Sequence, residues 1–225
     1  MKTSPIQSPS TKHPLPNPPH ETLDQALAAA WSHITDGVTN RRHAFHLPTL
    51  CTMPLPEPNQ PLSPPEARVV VLRHADAETW QVGCHTDARS PKAAHIRANP
   101  AVSWLFYDKQ AKTQVRALAT ATLHTDDEIA DEAWAASRLD SRRCYLAPNA
   151  PSTTADAPDP NLPDDLEGNP DRPRSELGRP NFAVVRATIH ALEWLYLAAK
   201  GHRRARFHKP DATPGSPIQS EWLRP

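Results

Sequence analysis

Four cationic side chains flank one short apolar stretch of the chain, and their types suit the binding of a phosphate or another anion. Arg68 and Arg73 enclose the run Val-Val-Val-Leu, and Arg89 and Lys92 follow closely after it. Guanidinium and ammonium groups hold anions through charge-assisted hydrogen bonds. If the run is one strand, alternation puts Arg68 and Arg73 on opposite faces. The two arginines would then serve different groups, unless one of them is only solvated.

The step Ser90-Pro91-Lys92 predicts the start of a helix with a cation in its first turn. Serine is a favoured N-cap residue and proline a favoured first helical residue. The helix dipole disfavours a cation there, so Lys92 is better explained if an anion occupies the helix N-terminus. A lysine that is only solvated would cost about a few tenths of a kcal/mol. Both interpretations remain open at this point.

Further candidate donors lie later in the chain. Gln114 and Arg116 share one face of a predicted strand, and residues 201–209 read GHRRARFHK. Each of these alone is typical of a solvated surface. Combined with the first cluster, they predict a pocket of arginine and amide donors that suits a phosphorylated, aromatic ligand.

The composition narrows the classes of protein to which the chain can belong. Lys+Arg and Asp+Glu are both 25, so no net charge favours nucleic acid or anionic lipid. No apolar run approaches the ~20 residues of a membrane span, and the N-terminus has no apolar segment of a secretory signal. The three widely spaced cysteines predict neither a zinc site nor a disulfide framework, so we expect a reduced, cytoplasmic protein. With only 6 glycines, the chain has no glycine-rich phosphate loop, so side chains and a helix N-terminus would have to hold a phosphate.

The pattern of apolar residues predicts one mainly antiparallel β domain over residues 21–225, after a disordered, proline-rich tail over residues 1–20. A helix should begin at Glu21 and stop at Gly37, and two more helices should cover residues 91–98 and 126–137. Thr125 and Glu128 should form a capping box at the start of the last helix. Strands are predicted over 69–72, 79–85, 101–107 and 115–123, with two or three more after residue 180. Residues 147–180 form a long proline-rich loop. Six to eight such strands favour a barrel, because closure removes exposed sheet edges.

The order of these motifs resembles the FMN-binding split barrel of the pyridoxamine 5'-phosphate oxidase family. The resemblance rests on Arg68-Val-Val-Val-Leu-Arg73, His85-Thr86, Ser90-Pro-Lys92, Asn99-Pro100 and Gln114-Val-Arg116, in that order. The segment LEWLYLAAKGHRRARF and the final Trp-Leu-Arg-Pro also fit. Within the family, the chain is most similar to the oxidase-related flavoproteins, and the similarity covers roughly residues 22–225. It implies a mainly β fold, a split β-barrel with flanking helices, that binds FMN.

The resemblance also implies roles for individual residues. Arg68 and Lys92 would hold the FMN phosphate, His85 and Thr86 would contact the flavin, and Gln114 would bond the edge of its ring. The full set of implied cofactor positions is Arg68, Val69, Val70, Val71, Leu72, Arg73, His85, Thr86, Lys92, Gln114 and Arg206. The implied substrate positions are Arg73, Arg138, Ser141 and Arg203. Such proteins are homodimers that hold FMN in the interface with residues of both subunits.

Several positions depart from the family pattern, and more of them concern substrate than cofactor. The departures are Pro91 in place of an arginine, Arg73 in place of a lysine, Trp134 in place of a tyrosine and Ala205 in place of a histidine. Leu195 stands where the family has a tryptophan that contacts the flavin, unless Trp194 makes that contact. The resemblance therefore implies an FMN-dependent oxidoreductase with an unassigned small-molecule substrate, in which no strong acid or base is needed because the flavin carries the chemistry. The altered substrate positions also allow a non-catalytic flavin-binding or carrier protein.

Two further interpretations have weaker support. Nucleic-acid binding through residues 201–209 is disfavoured by the neutral overall charge, because affinity for a phosphate backbone needs several concentrated cations. A metal site at His43 and His46 lacks a third ligand nearby in sequence, so we expect no metal there.

Overall fold

The computed structural model describes residues 20–54, 63–211 and 213–225. The predicted tail over 1–20 lies outside the described residues except for its last position. Within the described residues, the strands form one curled antiparallel sheet, a half-barrel with flanking helices. The strands are β1 (Thr49–Thr52), β2 (Glu66–Val69), β3 (Leu72–Asp76), β4 (Gln81–Asp87), β5 (Ala101–Asp108), β6 (Thr113–His124), β7 (Phe182–Tyr196), β8 (Arg203–His208) and β9 (Gln219–Leu223).

Helices lie against the sheet and in its connections. They are α1 (Leu23–Thr39), α2 (Pro91–Ala98), α3 (Glu128–Ala136), α4 (Leu139–Arg142) and α5 (Arg172–Glu176), with single 3-10 turns at Ala44–His46, Arg143–Leu146 and Arg179–Asn181. The predicted helix over 91–98 has the same bounds as α2. No helix among the described residues is long and apolar enough to cross a bilayer.

The prediction of one strand over 69–72 is wrong, because the chain changes strands there. This change determines how the sheet curls. The chain leaves β2 at Val69 and enters β3 at Leu72. These two strands lie at opposite ends of the sheet order β2-β1-β5-β6-β7-β4-β3. Val70 and Val71 alone join the two ends, and two residues span only about 7 Å. The sheet must therefore curl until its ends meet, and Arg68 and Arg73 stand on different strands.

Alternating side chains of the curled sheet form the main core. Trp104 and Phe106 of β5 and Trp194 of β7 are fully buried in it. Helix α1 covers this core with Trp31 and Ile34. A second, smaller cluster on the other face of β7 contains Trp134, Tyr145, Phe182 and Val184. This second cluster supports the elements that carry the candidate site.

The prediction that α1 stops at Gly37 is wrong. Gly37 lies inside the helix and allows close packing. The helix continues to Thr39. A Cβ at Gly37 would lie 2.8 Å from both the carbonyl carbon and the oxygen of Phe45. The imidazole of His46 donates to the Gly37 carbonyl at 2.7 Å. Glycine at this position lets the turn Ala44–His46 pack directly on the helix.

Two other local predictions also differ from the structure. Strand β1 was missed, because its four residues are too few to show a pattern. Asp127, and not the predicted pair of Thr125 and Glu128, caps α3: the backbone N–H of Ala130 donates to the Asp127 carboxylate at 3.0 Å. Neighbouring acidic and hydroxyl residues can all cap a helix, so the sequence alone leaves that choice open.

Candidate functional site

A cavity of about 570 Å³ opens where the two ends of the sheet meet. We call it the Arg68 cavity. Its walls come from the 68–73 segment, β4, the start of α2 and the 137–151 region. Nine residues that the sequence predicted as cofactor or substrate positions line it: Arg68, Val69, Val70, Val71, Arg73, His85, Thr86, Lys92 and Ser141.

Arg68 is fixed by hydrogen bonds to the strands around it. Its Nη1 donates to Thr52 Oγ1 at 2.7 Å, and its Nη2 pairs with Glu66 Oε2 at 2.7 Å. Thr52 Oγ1 also lies 3.0 Å from His95 Nδ1, on α2. The guanidinium is therefore held at a set position relative to the helix that carries Lys92.

Lys92 enters the same cavity from the first turn of α2. Its Nζ donates to Thr86 Oγ1 at 3.2 Å. The N-cap residue Ser90 makes no side-chain cap, since its hydroxyl donates to the Asp87 carbonyl at 2.7 Å. The N-terminus of α2 is thus not capped by its own serine, and such a terminus attracts anions.

The charges around Lys92 also favour a bound anion. Burial lowers the pKa of Lys92, the nearby Cys84 and Asp87 oppose that shift, and Arg68 adds to it. Two cations therefore face one cavity at an energetic cost. An anion between them would offset this repulsion.

His85 lines the cavity as an uncharged ring. Burial lowers its pKa to about 4, and Arg73 contributes in the same direction. The ring packs edge-on against Phe182, with centroids 4.9 Å apart. At neutral pH His85 therefore offers one donor and one acceptor nitrogen but no charge.

Arg89 has a different role from the cations above. It forms an ion pair with Asp87 at 2.7 Å and donates to the Ala147 carbonyl at 3.0 Å. It thus fastens the start of the 147–180 segment beside the cavity. The other donors of Arg89 also serve protein groups, namely the Asp87 carboxylate and the Pro148 carbonyl.

Four predicted positions line neither the Arg68 cavity nor the cavity that adjoins it. The side chain of Leu72 is fully buried in the core. Gln114 and Arg206 lie on the outer face of the sheet, where Arg206 pairs with Glu221 at 2.6 Å. Arg203 is exposed and donates only to nearby backbone carbonyls, those of residues 201 and 202. Within one chain these side chains do not join the cavity.

A second cavity of about 450 Å³ adjoins the first, and we call it the Arg186 cavity. The residues that it shares with the Arg68 cavity are Arg73, His85, Ser137 and Ser141. The predicted substrate residue Arg138 also lines it and pairs with Asp140 at 2.7 Å. Sequence reasoning missed Arg186, although a lone arginine inside the apolar run of β7 was a usable signal.

Two residues that depart from the family at substrate positions, Trp134 and Ala205, are buried, and so is Trp194. Trp134 is 4% exposed, and its Nε1 donates to Glu176 Oε2 at 2.8 Å. Ala205 is fully buried, as is Trp194, which stacks on Tyr196. None of these three side chains reaches either cavity.

A cluster of two histidines and one carboxylate occupies another part of the molecule. His33 Nδ1 lies 3.2 Å from His43 Nε2, and potential ligand atoms of both rings and of Asp108 lie within 4.8 Å of one another. The sequence did not indicate it, because these residues come from three separate elements. The backbone N–H of Phe45 donates to His43 Nδ1 at 3.1 Å, so the neutral ring carries its proton on Nε2. His43 therefore donates to His33, and the pair is hydrogen-bonded as it stands.

Comparison with solved structures places this fold among the split barrels. A pyridoxamine 5'-phosphate oxidase-related, FMN binding protein from Nostoc punctiforme PCC 73102 matches with a TM-score of 0.63 and 22% identity, over 88% of this chain and 96% of that chain. PhzG from Burkholderia lata 383, solved in complex with tetrahydrophenazine-1-carboxylic acid, matches with a TM-score of 0.58 and 17% identity, over 96% of this chain and 100% of that chain. At these identities the likeness concerns the fold. The predicted fold class is confirmed: the protein is a split barrel of mainly antiparallel strands.

Part of the sequence also matches a known family. Residues 28–125 match the family model described as pyridoxamine 5'-phosphate oxidase, FMN-binding domain. The matched span contains the junction of β2 and β3, β4 and α2, which supply most of the Arg68 cavity. Residues 28–125 are therefore similar to the FMN-binding domain of that family, in agreement with the predicted resemblance and with FMN as the cofactor. A search of curated protein sequences gave no match.

The residues of the Arg68 cavity are compatible with FMN. Two cations and an uncapped helix N-terminus suit a phosphate. The uncharged His85 and the apolar Val70, Tyr145 and Phe182 suit less polar parts of the cofactor. The volume is within the usual range for small-molecule sites.

Proposed function

We propose that this protein is an FMN-dependent oxidoreductase that acts on a small-molecule substrate. The observation that carries the proposal is the meeting of Arg68 and Lys92 in one cavity at the uncapped start of α2. In this proposal Arg68 and Lys92 hold the phosphate at the N-terminus of α2. Thr86 and the neutral His85 contact the remainder of the cofactor. Bound FMN supplies the redox chemistry by accepting a hydride or two electrons.

A second copy of the chain completes the site in our proposal. On the outer face of the sheet, residues that are paired from strand to strand form one continuous row. The row consists of Val69, Thr49, Leu105, Arg116, Glu193, Arg206 and Glu221. Val69 is 62% exposed and also lines the Arg68 cavity, so the row ends at that cavity.

This outer face has the chemistry of a self-complementary interface. Leu105, Tyr107 and Leu118 are exposed on it, beside alternating arginine and glutamate side chains. Such a face can pair with itself about a two-fold axis. A copy seated there would bring its own Gln114 and Arg206 towards the partner's cavity, which would account for their distance from the cavity in one chain.

A non-catalytic flavin carrier is the second candidate. The observation that favours it is the burial of Trp134 and Ala205, which removes two side chains expected at a substrate site. Turnover assays with the FMN-loaded protein, using NAD(P)H and pyridoxine phosphates, separate the two functions. Reduction of the flavin without transfer to any acceptor would favour the carrier.

The test of the phosphate site compares FMN with riboflavin. We expect Lys92→Met to weaken FMN binding about ten- to hundredfold, because a charge-assisted bond to the phosphate is lost. Riboflavin, which lacks the phosphate, should bind wild type and variant alike. Quenching of flavin fluorescence measures both affinities. Lys200→Met, at an exposed position outside the cavity, is the matched control.

The same titrations can refute the assignment. Equal affinity of the wild type for FMN and riboflavin would remove the phosphate site. So would an FMN affinity that Lys92→Met leaves unchanged. Circular dichroism of the variant separates loss of binding from loss of fold, and we expect no change because Lys92 is only half-buried.

A further inference from the structure

Arg68 stands at one end of a chain of hydrogen bonds that leads from the Arg68 cavity into the interior of the protein. Its Nη1 donates to Thr52 Oγ1 at 2.7 Å, and Thr52 Oγ1 lies 3.0 Å from His95 Nδ1. Thr52 is 1% exposed and His95 is 9% exposed, and neither side chain lines the Arg68 cavity. His95 therefore does not touch a molecule in that cavity, and its side chain reaches the cavity wall through Thr52 and Arg68.

The chemistry of the three groups determines the direction of these hydrogen bonds. A guanidinium only donates, so Thr52 Oγ1 accepts from Arg68. Among the described residues, His95 Nδ1 is the one acceptor for the proton of the Thr52 hydroxyl. The hydroxyl therefore donates to His95 Nδ1, and the neutral imidazole carries its proton on Nε2. A hydroxyl that donates is a stronger acceptor for Arg68, because hydrogen bonds in a chain polarise one another.

Arg68 keeps donors for a ligand although several protein atoms hold it. Besides Thr52, Nη1 donates to the carbonyls of Leu50 and Glu66, and Nη2 donates to Glu66 Oε2. No described residue accepts from its Nε–H or from the second N–H of Nη2. The protein contacts thus fix the guanidinium and leave the remaining donors for an anion in the cavity.

His95 also connects Arg68 to the second cation of the cavity. Lys92 and His95 both belong to α2 and are three residues apart, so they are neighbours on one face of the helix. The hydrogen bond from Thr52 to His95 therefore fixes where Arg68 stands relative to Lys92. That spacing determines whether one phosphate can contact both cations, since charge-assisted hydrogen bonds need N···O distances of about 2.7–2.9 Å.

We propose that His95 is a positioning residue for the phosphate of the cofactor and that it acts through Thr52 on Arg68. The inference rests on the proposed function, because it needs FMN in the Arg68 cavity. His95 contributes to the preference for FMN over riboflavin without contacting either flavin. Loss of the Nδ1 acceptor frees the Thr52 hydroxyl and loosens the guanidinium, while the side chains that line the cavity remain the same.

Two pairs of variants of similar size test this role. Thr52→Val and His95→Leu remove the hydroxyl and the Nδ1 acceptor, whereas Thr52→Ser and His95→Asn retain a hydroxyl and a side-chain acceptor near the same places. We expect the first pair to weaken FMN binding about three- to tenfold and the second pair to bind FMN nearly as the wild type does. Riboflavin should bind all of these proteins alike. Quenching of flavin fluorescence measures both affinities.

His46 is the matched control, because it is 8% exposed, hydrogen-bonded to the Gly37 carbonyl and outside the Arg68 cavity. His46→Leu should lower the free energy of unfolding, as His95→Leu does, but should leave the ratio of FMN to riboflavin affinity unchanged. A double-mutant cycle locates the effect. When Arg68→Met is already present, Thr52→Val should weaken FMN binding no further.

The outcomes separate this inference from the proposed function. If the wild type prefers FMN and both Thr52→Val and His95→Leu keep the full preference, the role of His95 is refuted and the phosphate site stands. Equal affinity of the wild type for FMN and riboflavin would refute both. A loss from Thr52→Val that persists in the Arg68→Met protein would also overturn the proposal, because the effect would not pass through Arg68. If His95→Leu does not fold, His95→Phe replaces it, since the phenyl ring fills the site of the imidazole without an acceptor.

Discussion

Acidification should destabilise the folded protein through His85. Burial first, and then Arg73, lowers the pKa of this ring from 6.5 to about 4. The unfolded chain then binds a proton at a pH where the folded protein does not, so the free energy of unfolding falls as the pH falls from about 6.5 towards 4. At about 1.4 kcal/mol per pH unit, the loss from this one group is about 2 kcal/mol at pH 5 and about 3 kcal/mol at pH 4.

Urea unfolding of the cofactor-free protein at pH 7, 6 and 5 measures this effect. The same series with His85→Gln isolates it, because all other titrating groups are common to both proteins. Burial and the nearby His43 also lower the pKa of His33, and this residue contributes equally to each series. The difference in unfolding free energy between wild type and His85→Gln should change by about 2 kcal/mol between pH 7 and 5. The exposed His190→Gln should leave the wild-type pH dependence intact. Parallel curves for wild type and His85→Gln would refute the reasoning.

Two more predictions concern the support of the site and its partner. Arg142 is 1% exposed and donates to the Trp134 carbonyl at 2.6 Å and to Ser175 Oγ at 3.1 Å, so Arg142→Met should cost about 3 kcal/mol in urea unfolding. The partly exposed Arg174, which pairs with the exposed Asp165, is the control: Arg174→Met should cost less than about 1 kcal/mol, and equal losses in both variants would contradict this. Light scattering should give a dimer for the wild type and a monomer for Leu118→Asp, with Leu177→Asp, outside the outer face, as the control. A wild-type monomer at micromolar concentration with FMN bound would exclude the interface.

The local elements were predictable from sequence where a pattern repeats over enough residues. Helix α2 follows from Ser90-Pro91, because cap and first-turn preferences act within a few residues. The alternation in β5 and β6 likewise predicts strands close to the observed ones. Local signals do not say which strands pair, however. The run of three valines after Arg68 is apolar throughout, and nothing in it marks the change from β2 to β3.

The candidate site depends on that unmarked change. On one continuous strand, Arg68 and Arg73 would point to opposite faces. Because the chain crosses from one end of the sheet to the other at Val70 and Val71, both arginines line a single cavity. Lys92 reaches the same place through α2, and Arg186 reaches the adjoining cavity from β7 across Gly83. The sequence shows the cations one by one, but the curl of the sheet determines which of them act together.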